Sequence, residues 1–274
     1  MKTKFGRCGP LIIAVLIMLN SGCASGPPVV PYPAFIVVDE LPNGFVAGLP
    51  GVRAKQLTGD ARTRRSGARI QIPPDWKFSS GASPGLSVEI FVLNGELAVG
   101  EYALTTGGYA YIPPGSSGLP LRSDSGATIL YFLDTANEAA VIQTPLITNA
   151  SFIEWETSII DAGSVGLSEK VLRADPGSGA RTWLQKVDPG AVQDWQYSSQ
   201  TLEGYLLSGS VMDSECVGGE VATWEYFPGG YFYRPPGAVH GGPEATALVE
   251  SVWIMRVPAN EKIEIVSGCG VPAE

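Results

Sequence analysis

Short runs of alternating apolar and polar residues, separated by glycine and proline, dominate the chain after its first thirty positions. "SVEIFVLNG" (87–95), "GGYAYIPPG" (107–115), "ATILYFLD" (127–134), "EGYLLSGSV" (203–211) and "ALVESVWIMRV" (247–257) all read this way. A period of two sends one set of side chains inward and the next outward, which is the signature of strands. Long stretches with the helical period are absent, while glycine (34) and proline (22) supply frequent turns. The pattern predicts an all-β sandwich or barrel.

The pattern also repeats. "GGYAYIPPG" (107–115) and "GGYFYRPPG" (229–237) share Gly-Gly-Tyr-x-Tyr-x-Pro-Pro-Gly, and "VEIFVLNGEL" (88–97) matches "LEGYLLSGSV" (202–211). Glu89 and Glu203 each precede a glycine, Gly95 or Gly209, with five residues between. The second copy has a longer hairpin around "MDSECVGGEVATW". Two copies in the same order predict two similar domains, 35–147 and 148–274, joined near "LDTANEAAVIQTPLITN".

The first 22 residues have a different character. Lys2, Lys4 and Arg7 precede the apolar run Leu11–Leu19, then Ser21, Gly22 and Cys23. A run of that length is too short to span a bilayer and predicts a signal peptide. "LNSGCAS" resembles a bacterial lipobox, with Asn20 where such boxes carry an apolar residue. That resemblance implies lipidation of Cys23, a membrane tether through its acyl chains, and a place in the bacterial cell envelope. An ordinary cleaved signal is the alternative. Residues 23–34, with "GPPVVPYP", then form a Pro-rich linker.

Removing the signal deletes three positive charges and no acid, taking the net charge from −9 to −12. An acidic body without a long Lys/Arg run argues against a nucleic-acid partner. Cys8 leaves with the signal, so Cys216 and Cys269 remain as a pair, which in an exported protein predicts a disulfide. "ARTRRSGAR" (61–69) could meet an anion or be a solvated strand edge. The aromatic residues could line a carbohydrate groove or pack a core, with Trp224 in the extra hairpin expected to be exposed.

His240 is the only histidine. Gly229, Pro235, Gly237 and His240 have the spacing of the second cupin motif, with Glu244 where that motif ends in asparagine. The frame of the first motif falls on Gly190, Gln196, Ser198, Glu203 and Gly209. The chain thus resembles bicupins, in particular the ChrR-like and DUF4437 groups. The resemblance implies two tandem cupin barrels of the double-stranded β-helix, or jelly-roll, type. Such barrels often dimerise, so a homodimer is also implied.

Metal-binding cupins hold Fe, Mn, Zn or Ni with three histidines and a glutamate. Here Gln196 and Ser198 stand at the first two histidine positions, leaving Glu203 and His240. One imidazole and one carboxylate make a poor transition-metal site, so no cofactor is expected and a divalent metal would rest on those two residues. In the first copy Gly118 replaces the last histidine, and Ala82 and Pro84, or residues of "DWKFSS" (75–80) set against "DWQYSS" (194–199), fill the other positions. Three roles remain open for Glu203 and His240: an inert hydrogen-bonded pair, an acid–base pair, or part of a ligand pocket. That pocket would comprise Gln196, Ser198, Glu203 and His240, with Tyr205 as an aromatic wall.

The expected function is an envelope lipoprotein that binds a small molecule or a protein partner without catalysis. The alternative is an enzyme working from the second barrel, by metal-assisted dioxygenase or isomerase chemistry or by metal-free acid–base chemistry. A ChrR-like sensor ranks last, because it needs a sigma-binding helical domain and a cytosolic location.

Overall fold

The computed structural model describes residues 35–46, 48–79, 85–116, 119–158, 166–217 and 219–269. Cys23, Ala82, Pro84 and Gly118, together with the signal peptide and the whole linker, lie outside the described residues. The first half contributes β1 Ile36–Val37, β2 Asn43–Gly44, β3 Arg53–Asp60, β4 Arg65–Ile72, β5 Trp76–Ser79, β6 Leu86–Val99, β7 Tyr102–Thr105, β8 Gly108–Ile112, β9 Pro120–Ser123, β10 Ala127–Thr135 and β11 Leu146–Asn149. The second half contributes β12 Glu156–Thr157, β13 Leu167–Ala174, β14 Arg181–Val187, β15 Val192–Ser198, β16 Leu202–Val217, β17 Glu220–Tyr226, β18 Gly230–Arg234, β19 His240–Val257 and β20 Ile263–Ile265. Two short 3-10 turns, Val38–Glu40 and Ala150–Phe152, are the helical elements among the described residues.

The strands form the two antiparallel barrels that the alternation predicts, and their register shows the repeat. Glu89 sits opposite Tyr111 on β8 and Phe132 on β10; Glu203 sits opposite Tyr233 on β18 and Arg256 on β19. Each barrel needs one long strand that turns from one sheet into the other. In β6 the residues before Gly95 pair with β8 and β10, while those after it pair with β7 and β9. In β16 the corresponding corner is Gly209, between the pairing with β18 and that with β17. Gly209 has φ +92°, and a Cβ there would stand 2.2 Å from Ser251 Oγ, so only glycine fits the bend.

The two halves exchange edge strands. β1 pairs with β18 of the second barrel, Ile36 opposite Tyr231, although it precedes the first barrel in sequence. β11, which spans the junction expected at 147/148, pairs with β8 of the first barrel. Between the barrels lies a shared apolar seam that includes Leu57, Phe91 and Leu130 from one side and Leu172, Leu184 and Ile254 from the other. Cys216, at the end of β16, is bonded to Cys269 with Cα atoms 5.3 Å apart, so the expected disulfide ties the long hairpin to the C-terminal segment.

Candidate functional site

The pocket of the second barrel is built where β15, β16, β18 and β19 converge. Alternation along β16 decides which residues face it. Leu202 and Leu206 belong to the barrel core with Phe232, Trp253 and Met255. A Cβ on Gly204 would stand 2.4 Å from the Phe232 ring, so this position also faces inward. Between these walls lies a partly open cavity of about 80 Å³, bordered by Gln196, Arg234, His240, Trp183, Trp253 and Met255 among others.

His240 opens β19, 2 % exposed, opposite Gln196 on β15 and Glu215 on β16. The Gly-Gly pair that follows it has a steric cause. A Cβ on Gly241 would meet the Asp194 carbonyl oxygen at 2.4 Å, and one on Gly242 the Trp195 ring at 2.2 Å, both at positive φ. Strand β15 can therefore press onto β19 only if these residues lack side chains. Nδ1 of His240 lies 3.0 Å from the Ala238 carbonyl oxygen. A carbonyl only accepts, so Nδ1 carries the hydrogen and Nε2 bears the lone pair. Burial, with the nearby Arg234 guanidinium adding to it, holds the imidazole pKa well below its ordinary 6.5, so the ring is neutral. Nε2 is buried and has no hydrogen-bond partner.

Arg234 supplies the other buried charge. Its Nε donates to Glu215 Oε1 at 2.8 Å and its Nη2 to Asp213 Oδ2 at 2.5 Å. Its guanidinium also stacks on the Phe232 ring at 3.9 Å. Neither the arginine nor its acids stands out by motif, yet the repeat carries a signal for it. The "YAYIPPG" of the first copy becomes "YFYRPPG", so Ile112, a core residue of the first barrel, corresponds to Arg234. The two acids lie in the longer hairpin of the second copy.

Of the five residues expected to line one pocket, only Gln196 and His240 border the cavity together. Ser198 is buried on β15 but serves the turns beyond it: its Oγ accepts from Gln200 N at 3.0 Å and its carbonyl from Gly237 N at 2.9 Å. Glu203 and Tyr205 need correction. They follow Leu202 and Gly204 by one residue, and one residue along a strand reverses the face. Both therefore look out of the barrel into the seam between the two halves. Glu203 accepts from Tyr231 Oη at 2.7 Å and Arg256 Nη1 at 3.1 Å, while the Tyr205 hydroxyl meets Arg69 Nη1 at 3.4 Å. The structure does not bring Glu203 and His240 together: Glu203 is bonded to Tyr231 and Arg256, whereas His240 borders the cavity. Among the described residues no group of three or more His, Cys, Asp or Glu side chains could hold an ion. The first barrel is filled at the same place. There Trp76 on β5 lies opposite Ser123 on β9, and Trp76, Phe78 and Leu121 belong to an apolar core.

The seam holds a buried ionic cluster. Arg256 of the second barrel reaches Glu89 Oε1 at 3.2 Å and Asp134 in the first barrel, as well as Glu203. Glu89 also accepts from Tyr109 Oη at 2.7 Å, Arg173 Nη1 at 2.7 Å and Thr182 Oγ1 at 2.5 Å. Burial pushes the Glu89 carboxyl up, but Arg256 and Arg173 outweigh it and leave the pKa below the ordinary carboxylate range. For Glu203 burial wins over Arg256, and its pKa is raised. A cleft of about 600 Å³ opens beside this cluster. From "ARTRRSGAR", Arg65 pairs with Asp134 at 2.9 Å in the seam and Arg69 with the exposed Asp39, whereas Arg62 is 90 % exposed. Trp224 is 66 % exposed, as its hairpin position suggested.

No protein-family model and no curated protein matches the sequence. Solved structures do match. A protein of Nostoc punctiforme assigned provisionally as a dioxygenase superposes with TM-score 0.67 at 17 % identity, over 85 % of this chain and 86 % of its own. The Ylba protein of E. coli superposes with TM-score 0.63 at 17 % identity, over 86 % and 96 %. A variant of oxalate decarboxylase from Bacillus subtilis gives TM-score 0.59 at 12 % identity, over 84 % and 78 %. These neighbours are of cupin type, and at such identities the likeness establishes the cupin fold alone.

Proposed function

We propose that the protein is an envelope-anchored bicupin lipoprotein whose C-terminal barrel binds a small molecule without catalysing its turnover. One observation carries the reading: the barrel holds a partly open, aromatic-walled cavity of about 80 Å³ bordered by the buried, neutral His240, where Gln196 and Leu202 offer no ligand set for a metal. Mostly apolar walls with a few polar groups are the usual make-up of a binding pocket. The first barrel and its apolar core act as a scaffold that supports the second through the ionic seam. The "LNSGCAS" sequence supports the tether on Cys23, and the oxidised Cys216–Cys269 pair fits an exported protein.

The neighbours keep an enzymatic alternative in view, since their names include a provisional dioxygenase and an oxalate decarboxylase. A neutral imidazole bordering the pocket also suits a general base. Mass spectrometry of the membrane fraction is expected to find Cys23 acylated; a soluble mature form beginning elsewhere would overturn the lipoprotein reading. Native mass spectrometry of the purified protein against a metabolite set should detect a small adduct in the wild type that is lost in Ala247→Phe, which fills the cavity. Identical spectra for both proteins would refute binding there. Near-stoichiometric metal in the wild type that disappears in His240→Ala, or consumption of a bound compound, would favour the enzyme.

A further inference from the structure

We propose that the corner of the second barrel formed by β1, β17 and the turn into β18 rests on a zwitterionic lipid surface, with Trp224 seated in its interfacial layer. The inference rests on the lipoprotein reading above and names the face that the tethered barrel turns to the bilayer.

The tether and the exposed aromatic side chain meet at one place. The ring of Phe35, the first described residue, lies 6.3 Å from that of Trp224 and 5.2 Å from that of Tyr226, centroid to centroid. Tyr226 is buried and meets Trp253 of the core at 5.2 Å, so Phe35 is anchored on the barrel. The chain therefore joins the barrel beside β17. Twelve residues, 23–34, precede Phe35, and at about 3.3–3.6 Å each they reach roughly 40 Å at most. A lipid on Cys23 keeps this corner within that distance of the bilayer, and contact there is then an intramolecular event that even a small patch can sustain.

Three apolar side chains at the corner stand in water. Trp224 is 66 % exposed, Phe227 56 % and Val37 51 %. Val37 lies opposite Gly230, whose N–H donates to the Phe227 carbonyl, so the two residues flank one turn. Single exposed apolar residues need no explanation, but several at one corner suggest a contact surface. Tryptophan suits the boundary of a membrane, where the ring body sheds water while the indole N–H stays among polar groups. Charge selects the lipid. Glu225 adjoins Trp224 in sequence, Glu244 accepts from the neighbouring Thr223, and the mature chain is acidic as a whole, so anionic headgroups would repel this face.

Fluorescence quenching tests the contact. The acylated protein is purified from membranes and reconstituted into phosphatidylcholine vesicles. Trp224 emission is read as the difference between wild type and Trp224→Phe, a change at an exposed ring that should leave the thermal midpoint unaltered. Lipids brominated on the acyl chain near the headgroup should remove most of that difference emission, and aqueous iodide should leave it largely intact. Phe227→Ser should weaken the lipid quenching and strengthen that by iodide. Acylated protein whose Trp224 is quenched by iodide and not by brominated lipid would overturn the docking and leave the tether standing. Emission that neither agent quenches would overturn it too, because protein, such as a second copy, would then cover the ring. Stronger quenching by brominated lipid in phosphatidylglycerol vesicles than in phosphatidylcholine would overturn the zwitterionic preference. An unmodified Cys23 would overturn the lipoprotein reading itself, and the docking with it.

Discussion

Arg256 is the residue on which the union of the two barrels should most depend. Replacing it with methionine keeps much of the side-chain volume and removes the charge. The three carboxylates it touches are not equally affected. Asp134 keeps Arg65 at 2.9 Å, and Glu89 keeps Arg173, Tyr109 and Thr182. Glu203 keeps only the Tyr231 hydroxyl as a hydrogen-bond partner. One buried carboxylate therefore loses the guanidinium bonded to it, and breaking a buried pair in that way costs about 3–5 kcal/mol. For a protein of this size that is a fall in Tm of roughly 6–20 °C. Urea and thermal unfolding at pH 7 measure it, and two separated transitions are expected where the wild type shows one.

The same reasoning fixes the sign of the pH dependence. The folded pKa of Glu203 is already raised, and losing Arg256 raises it further. The native variant then holds a proton that the unfolded chain releases above about 4.5, so the variant gains stability as pH falls toward that value. Its deficit against the wild type should shrink accordingly. Glu203→Gln in the same chain should recover about 2 kcal/mol of the loss, because an amide can be buried there without a counter-charge. A cost below about 1 kcal/mol, or strict additivity of the two substitutions, would refute the clamp.

His240 makes a second pH test with the opposite sign. Its folded pKa is depressed, so below about 6.5 the unfolded chain takes up a proton that the native state refuses, and stability is lost as pH falls. Wild type should lose up to about 1.4 kcal/mol per pH unit more than His240→Gln between about pH 6.5 and 5; parallel curves in denaturant titrations would refute the buried neutral ring. Reduction of Cys216–Cys269, which closes a loop of 53 residues, should cost about 4 kcal/mol in urea, and an unchanged midpoint would show that the C-terminal segment is held by other contacts. Gly209→Ala should cost roughly 2–4 kcal/mol by thermal unfolding, since a Cβ would lie 2.5 Å from Ser251 Cα at positive φ; a near-neutral result would mean that the β16 corner can relax.

Alternation with glycine and proline punctuation determined the class of fold, because a strand's period of two is local and each barrel's edges are written in turns. The recurrence of Gly-Gly-Tyr-x-Tyr-x-Pro-Pro-Gly determined that there are two such barrels, and the pairing of Glu89 with Tyr111 and of Glu203 with Tyr233 shows the repeat in space. The exchange of β1 and β11 was not legible, since an edge strand of two or four residues pairs with whichever neighbour the tertiary fold brings near.

At the site, the sequence pointed to His240 and Gln196 through motif spacing, which counts residues but does not fix the face. Glu203 shows the limit. Leu202 occupies the inner wall and its neighbour the outer one, so a shift of one residue moved a carboxylate from the pocket to the seam between barrels. Arg234 was visible only as a departure from Ile112 in the first copy, and its significance came from Asp213 and Glu215 closing on it from another strand. The tautomer of His240 is likewise a tertiary fact, set by a carbonyl two residues away and by burial that no local pattern encodes.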